Sequence, residues 1–358
     1  LKKSRQCCKI FPKKGASPPL FFYSLSSGVE KIDLLEIIKP VARELEKVEL
    51  YLKRSVDSKY DIISEIGSYL FEGKGKRLRP ALVLLSASVF KKANQKAVNV
   101  AASVEFIHTA TLIHDDIIDN AATRRGKPSL NDKYGNTVSV LFGDFLYCEA
   151  FKQVSKYEDS FIGNGLLDAA QRMCEGEIHQ NLNNFDPEIT KENYISVIEN
   201  KTAQFLAKCS ELGAYCAGAK SGQIAAMKKY GLYMGTAFQI ADDVFDLAAD
   251  DKTIGKPSGK DLVEGKVTLP VLITLQKISK KKAEEFKKII SSKTRITEDF
   301  IKEIKKTAAE CGAISDSLTT AGEYVSKAKV SLNGMKIADN KALQSLSALS
   351  EFVINRKN

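Results

Sequence analysis

The sequence predicts an all-α fold. Apolar side chains recur at three- and four-residue spacing through stretches such as Asn99 to Ile118 and Gly231 to Leu247, while Val, Ile and Thr never alternate for long with polar residues. Proline agrees: three of the nine sit in the first twenty residues, and none falls between Pro187 and Pro257 or after Pro270, so long helices are permitted there. At 358 residues and 44% hydrophobic, the chain can bury a substantial core, which excludes a disulfide mini-protein and a mostly disordered chain.

Taken in order, residues 1–30 are basic, rich in Ser and Pro and without helical periodicity, so they read as an extension outside the fold. They suit either an organellar transit segment or sequence upstream of the true start, since no Met precedes Met173; Leu20 to Leu25 is a short apolar run broken by Ser24, a poor secretory signal. From Ile32 onward the amphipathic body begins, interrupted only by short Gly- or Pro-marked loops at Gly73 to Pro80, Arg124 to Pro128, Asn183 to Pro187 and Gly255 to Gly265. The apolar run Ala81 to Phe90 is too short to span a bilayer, and Ala97 to Ile113 contains Glu105 and His108, so no transmembrane helix is expected. Lys277 to Lys306 is rich in Lys but interleaved with Glu284, Glu285, Glu298, Asp299 and Glu303, the pattern of a solvated helix face. With no linker and no repeat, residues 31–358 read as one domain.

The net charge of +10 is concentrated at the start, where residues 1–31 hold seven Lys or Arg against one Glu; the other 327 residues carry only +4, so nucleic acid is not the expected partner. Seven scattered cysteines with no CxxC pair point to reduced thiols and a cytoplasmic location, with mitochondrion or plastid as the alternative should residues 1–30 be a transit peptide.

The chemistry lies in two DDxxD clusters, Asp115, Asp116 and Asp119, then Asp242, Asp243 and Asp246. At about 100° per residue each cluster crowds carboxylates onto one side of its helix, beside apolar neighbours (Leu112 and Ile113; Phe238 and Ile240). Like charges so close repel, and hard cations bound through oxygen are their natural neutralisers. Mg2+ prefers a few carboxylates plus water and substrate phosphate, so a diphosphate is the implied ligand. Basic residues fall in the adjoining loops as that requires: Lys76 and Arg79, Arg124 and Arg125, Lys201, Lys256 and Lys266.

Over residues 32–358 the chain resembles the trans-isoprenyl diphosphate synthases of the polyprenyl synthetase family. The resemblance rests on GKGKRLRP at Gly73 to Pro80, EFIHTATLIHDDIID at Glu105 to Asp119, RRGKP at Arg124 to Pro128, GDFL at Gly143 to Leu146, Lys201-Thr202, QIADDVFD at Gln239 to Asp246, GKPSGKDL at Gly255 to Leu262 and GKVTLP at Gly265 to Pro270. With His108 seven residues before Asp115, the first region is most similar to long-chain octaprenyl and heptaprenyl synthases. The resemblance implies a single large helical bundle around a deep central cavity. It implies that Asp115, Asp116, Asp119, Asp242, Asp243 and Asp246 serve Mg2+. Arg124, Lys201 and Lys256 would serve the allylic diphosphate (farnesyl or geranylgeranyl), and Lys76, Arg79, His108 and Arg125 isopentenyl diphosphate. Gln239 and Thr202 would line the reacting centre, and Lys266 the substrate side. One departure is Lys74-Gly75-Lys76 where the family often has Gly-Gly-Lys.

The expected reaction is head-to-tail condensation giving a long all-trans polyprenyl diphosphate, of the kind used for quinone side chains. It needs no side-chain nucleophile. Product length is expected to follow from small residues below the first cluster, Ala110 and Thr111 on the first floor and Ile107 deeper, since a helical turn of about 5.4 Å is close to one isoprene unit. A homodimer is expected, with a heteromer as the alternative and membrane contact on the product side. Two rivals were weighed. An all-α metal phosphohydrolase built on His108 and His114-Asp115 has no use for the second DDxxD or for Lys76 and Arg79. A non-catalytic subunit would not keep both clusters. The loop from Gly255 mimics a P-loop but has Asp261 where Ser or Thr is needed, which rules out an NTPase.

Overall fold

The structure is a computed structural model that describes residues 33–72, 75–248, 259–293, 296–335 and 337–355. Helices α1 (Leu34–Ile38), α2 (Ala42–Ser55), α3 (Asp61–Phe71), α4 (Leu78–Ser88) and α5 (Gln95–Ile118) lead to a two-stranded hairpin, Thr123–Arg124 with Lys127–Pro128. Next come α6 (Leu130–Tyr134), α7 (Asn136–Ser155), α8 (Ser160–Leu182), α9 (Lys191–Ile198), a π turn (Glu199–Ala203), α10 (Gln204–Cys216) and α11 (Ser221–Ala248). Helices α12 (Lys260–Val263), α13 (Leu269–Lys277), α14 (Lys280–Ser291), α15 (Glu298–Glu310), α16 (Ala313–Ser331) and α17 (Asn340–Asn355) complete the chain. The all-α expectation holds. The hairpin, unforeseen in the sequence, falls in the Arg124 to Pro128 loop, where Arg125 (φ 52°) and Gly126 (φ 77°) turn the chain through left-handed backbone.

α4 and α10 are apolar on nearly every side and form the centre. α10 packs on α4, α5, α8 and α11, and α5 on α4 and α7, so the two aspartate helices run beside one shared core. The Asn94 side chain caps α5 by accepting from the Ala97 N–H at 2.9 Å, which fixes where this 24-residue helix starts. α11 contributes Met227, Tyr230 and Met234 to the main core, and Ile240 and Leu247 to a second cluster built with α13 to α16. The Lys-rich segment is the amphipathic pair α14 and α15, with Ala283, Phe286, Ile290, Phe300, Ile301 and Ile304 turned inward. No described helix is long and apolar enough to cross a membrane.

Candidate active site

The clusters border a cavity of about 850 Å³. From α5 it takes Glu105, His108, Thr111, Leu112, Asp115 and Ile118, a run at three- and four-residue spacing that marks one helix face. Asp115 is largely buried, and its carboxyl is pushed up to about 6 by that burial and by the charges of Glu177 and Asp119, against the opposing pull of Lys201. Asp116 behaves differently. It is buried and accepts from Arg124 Nε at 2.7 and 2.6 Å, so its carboxylate fixes the arginine. Asp119 lies 3.6 Å from both Lys260 Nζ and Lys266 Nζ, tying the end of α5 to α12 and the residues that follow it.

The second cluster divides in the same way. Asp242 lines the cavity. Asp243 accepts from the Tyr194 hydroxyl at 2.6 Å and from Gln239 Nε2 at 2.8 Å, while the Gln239 carbonyl oxygen accepts from the Thr202 hydroxyl at 2.9 Å. Asp246 accepts from the backbone N–H groups of Lys260 and Asp261 at 3.2 and 3.1 Å, holding the start of α12. Burial raises the carboxyls of Asp243, Asp246 and Asp261, and their mutual charge adds to it. Lys266 is held protonated: burial works against its charge, but Asp119, Asp261 and Glu264 outweigh it.

Lys201 and Thr202 reach the cavity from the π turn, a local widening of the helix that often marks functional positions. Two glycines let this turn sit where it does. A Cβ on Gly176 of α8 would meet the Lys201 backbone nitrogen at 2.6 Å, and one on Gly235 of α11 would meet Ala203 Cα at 2.7 Å. The Lys201 ammonium pairs with Glu177 at 2.5 Å and donates to Gln180 at 2.9 Å.

The same cavity is lined by Lys76, Arg79, His108 and Arg125. Arg79 is buried and its Nη1 lies 2.9 Å from His108 Nε2. Burial and the nearby arginines drive His108 well below its ordinary pKa, so the ring is neutral and Nε2 accepts from the guanidinium. The Nε of Arg79 has no hydrogen-bond partner among the described residues, a buried donor that suits an incoming phosphate oxygen. Arg77 enters α4 in left-handed backbone (φ 46°, ψ 36°) and is bound to Glu105 at 2.7 Å and to Glu49 through two nitrogens.

The structure therefore brings Lys76, Arg79, His108, Arg124, Arg125, Lys201, Thr202, Gln239, Asp115 and Asp242 to one cavity. Lys266 is reached through Asp119, and Lys256 lies outside the described residues. Two expectations are corrected. Asp116, Asp119, Asp243 and Asp246 are engaged by protein groups and do not line the cavity: Asp116 faces Arg124, Asp119 Lys260 and Lys266, Asp243 Tyr194, and Asp246 the start of α12. Of the length-setting residues only Thr111 is on the wall. Ala110 is turned roughly 140° from Asp115 around the helix, and Ile107 lies a turn beneath Thr111; both are fully buried in the core. The wall near Thr111 is instead built with Tyr147, Met173, Cys174 and Phe238. Sequence reasoning missed Glu177, Tyr194, Arg77 and Glu105 as partners. Their contacts join positions 24 to 49 residues apart, and local spacing carries no trace of them.

The acidic walls fit hard divalent cations, as the donors are carboxylate oxygens whose charge burial disfavours and a bound cation would stabilise. No three His, Cys, Asp or Glu among the described residues converge into a ready-made cage, so other ligands, such as substrate phosphate and water, would complete the shell.

A family model for polyprenyl synthetase matches residues 60–308. The chain is 35% identical to octaprenyl diphosphate synthase of Haemophilus influenzae over 326 residues, covering 90% of this chain and 98% of the relative. It is 34% identical to heptaprenyl diphosphate synthase component 2 of Bacillus subtilis, covering 88% of each. Among solved structures, a polyprenyl synthase from Caulobacter crescentus, complexed with calcium and isoprenyl diphosphate, matches with a TM-score of 0.86 and 32% identity over 91% of this chain and 98% of that one. With the sequence, the fold and the paired acidic walls in agreement, the chain belongs to the polyprenyl synthetase family.

Proposed function

We propose that this chain is a trans-prenyltransferase that adds successive isopentenyl diphosphate units to an allylic diphosphate, farnesyl or geranylgeranyl, to give a long-chain polyprenyl diphosphate for quinone side chains. The observation that carries this reading is one cavity lined by carboxylates from two helices, Asp115 and Asp242, and by the cations Lys76, Arg79 and Arg125. One diphosphate suits each set.

The enzyme class depends on divalent metal, and we take Mg2+ as the ion, held by Asp115 and Asp242 of the cavity wall. When bound, the ions neutralise the allylic diphosphate and make it a better leaving group. Arg124 and Lys201 grip the same group, with Asp116 orienting Arg124. Arg79 and neutral His108 hold isopentenyl diphosphate. In the dry cavity the allylic C–O bond breaks, the isopentenyl double bond forms the new C–C bond, and the lost proton passes to a departing diphosphate oxygen. Thr202 and Gln239 line the cavity beside that centre, the hydroxyl donating to the Gln239 carbonyl oxygen and the Gln239 amide to Asp243, which fixes the wall there.

Val138 and Leu141 on α7 and Leu167 on α8 are exposed apolar side chains, which supports burial against a second copy in a homodimer. The alternative is a heteromer, favoured by the name of the Bacillus subtilis relative. The five described cysteines are unpaired, which supports a reducing compartment such as the cytoplasm.

The test is mass spectrometry of products made by the purified chain alone with Mg2+, farnesyl diphosphate and isopentenyl diphosphate. Long-chain products are expected. No condensation without a second protein would establish the heteromeric reading, and turnover of a nucleotide without isopentenyl diphosphate would overturn the assignment.

A further inference from the structure

Behind the catalytic cavity, α8, α10 and α11 enclose a second hollow of about 360 Å³. Its polar lining is Asp168 and Arg172 of α8, Gln204 and Lys208 of α10, and Lys228 and Lys229 of α11. On α8, Asp168 and Arg172 are four residues apart and share one face, while Cys174 and Glu177 line the catalytic cavity from another. On α11, Lys228 and Lys229 lie about three to four turns before Gln239 and Asp242. The hollow is thus separate from the reacting centre and shares its walls.

Its charge is unbalanced. Lys208 is only 14% exposed and pairs with Glu211 at 2.6 Å, and that same carboxylate is the partner of Lys228 at 3.6 Å. Among the described residues, no carboxylate lies within 4 Å of Arg172 or Lys229, and Asp168 pairs with no cation. Four cations therefore line one concavity with a single carboxylate, Asp168, on its wall, and Glu211 beside it is shared by two of them. A largely buried ammonium that shares its counter-ion is costly unless another anion arrives, and a concave site with apolar walls, here Ala169 and Leu232, concentrates the positive field. The Gln204 amide adds a neutral donor, and Arg172 offers the planar fork that suits phosphate oxygens. The volume is at the small end for ligand sites, which favours a compact anion.

We propose that this hollow is a second, metal-independent site for a diphosphate group. The choice of diphosphate over other small polyanions rests on the proposed reaction, which releases one in each cycle; the cationic hollow itself does not. The group has two sources, free inorganic diphosphate or the head of a prenyl diphosphate.

The experiment is calorimetric titration of the full chain, freed of divalent metal by chelation, with inorganic diphosphate and separately with farnesyl diphosphate. The variants are Arg172→Ala/Lys229→Ala, both at exposed positions, and Arg79→Ala, which weakens the catalytic cavity. Two binding events are expected for the unaltered chain. The double variant should lose one or weaken it roughly tenfold or more, and Arg79→Ala should spare that event. Dependence on Arg172 and Lys229 for inorganic diphosphate identifies the free ion as a ligand; dependence for farnesyl diphosphate alone identifies the prenyl head. Unchanged stoichiometry and affinity in the double variant, for both ligands, would overturn the proposal. Because binding is read without turnover, that failure leaves the transferase reading intact, and a failure to condense substrates leaves this site intact.

Discussion

Glu105 joins the fold to the residues proposed for isopentenyl diphosphate, and Glu105→Gln is the sharpest perturbation the structure offers. Its carboxylate lies 2.7 Å from Arg77 Nη1 and is the leading source of attraction for the buried guanidinium of Arg79. The substitution keeps the shape and one acceptor but removes the charge shared by two arginines. Breaking a buried ion pair costs about 3–5 kcal/mol. Glu49, which is 31% exposed, still holds Arg77, so a loss of about 3 kcal/mol is expected, equivalent to a fall in Tm of roughly 4 °C for a chain of this size. Arg77 also sits in left-handed backbone, a strain of about 1–3 kcal/mol that its two carboxylates hold in place. Once Glu105 is neutral that strain can relax and move the segment carrying Lys76 and Arg79. Steady-state kinetics should therefore show KM for isopentenyl diphosphate raised about tenfold or more, with KM for the allylic substrate and kcat far less affected. Equal rises in both KM values, or an unchanged Tm, would refute the reasoning.

Asp115→Ala and Asp242→Ala should each cut kcat by about 10³-fold or more with Tm little changed, whereas Asp116→Ala should act mainly through Arg124 by raising KM for the allylic diphosphate; steady-state kinetics distinguish the two patterns. Thr111→Tyr should shorten the product, read by mass spectrometry, while Ala110→Tyr should chiefly lower Tm, since Ala110 is sealed in the core and overpacking costs about 1–3 kcal/mol. The last prediction concerns pH. The folded-state pKa of Asp115 is raised to about 6, so its ionisation costs stability as pH climbs from its ordinary value of 3.8 through 6, by about 3 kcal/mol at the upper end. Burial of Asp243, Asp246 and Asp261 acts in the same direction. Divalent cations relieve this repulsion, so calorimetry should show a larger metal-induced rise in Tm at about pH 8 than at about pH 5.

The helices were legible because their signal is local. Periodicity marked Asn99 to Ile118 and Gly231 to Leu247, and the structure extends both only at their N-terminal ends and by a residue at Ala248. The Lys277 to Lys306 segment was readable for the same reason, since alternating acids and lysines on an amphipathic repeat leave one apolar side to bury. The hairpin at Thr123 to Pro128 was missed because two-residue strands have no periodicity to detect; only Gly126 hinted at a turn.

The site was legible in its residue types and less so in their division of labour. A DDxxD spacing says that carboxylates crowd together, but each aspartate's neighbours decide what it does. Asp115 and Asp242 face a cavity, whereas Asp116 meets Arg124 eight residues later and Asp243 meets Tyr194, 49 residues earlier in the chain. A carboxylate already given two good donors at 2.6 to 2.8 Å has little left for a cation, so the same motif supplies both metal-facing groups and the struts beside them. The placement of Ala110 in the core and not on the wall has the same origin. Counting residues back from Asp115 fixes depth along the helix, but the side that opens on the cavity is set by packing against α7 and α4, and a shift of one residue turns a wall position into core. Function in this fold therefore depends on helix rotation as much as on motif, and Thr111 stands on the cavity side of that rotation while Ala110 does not.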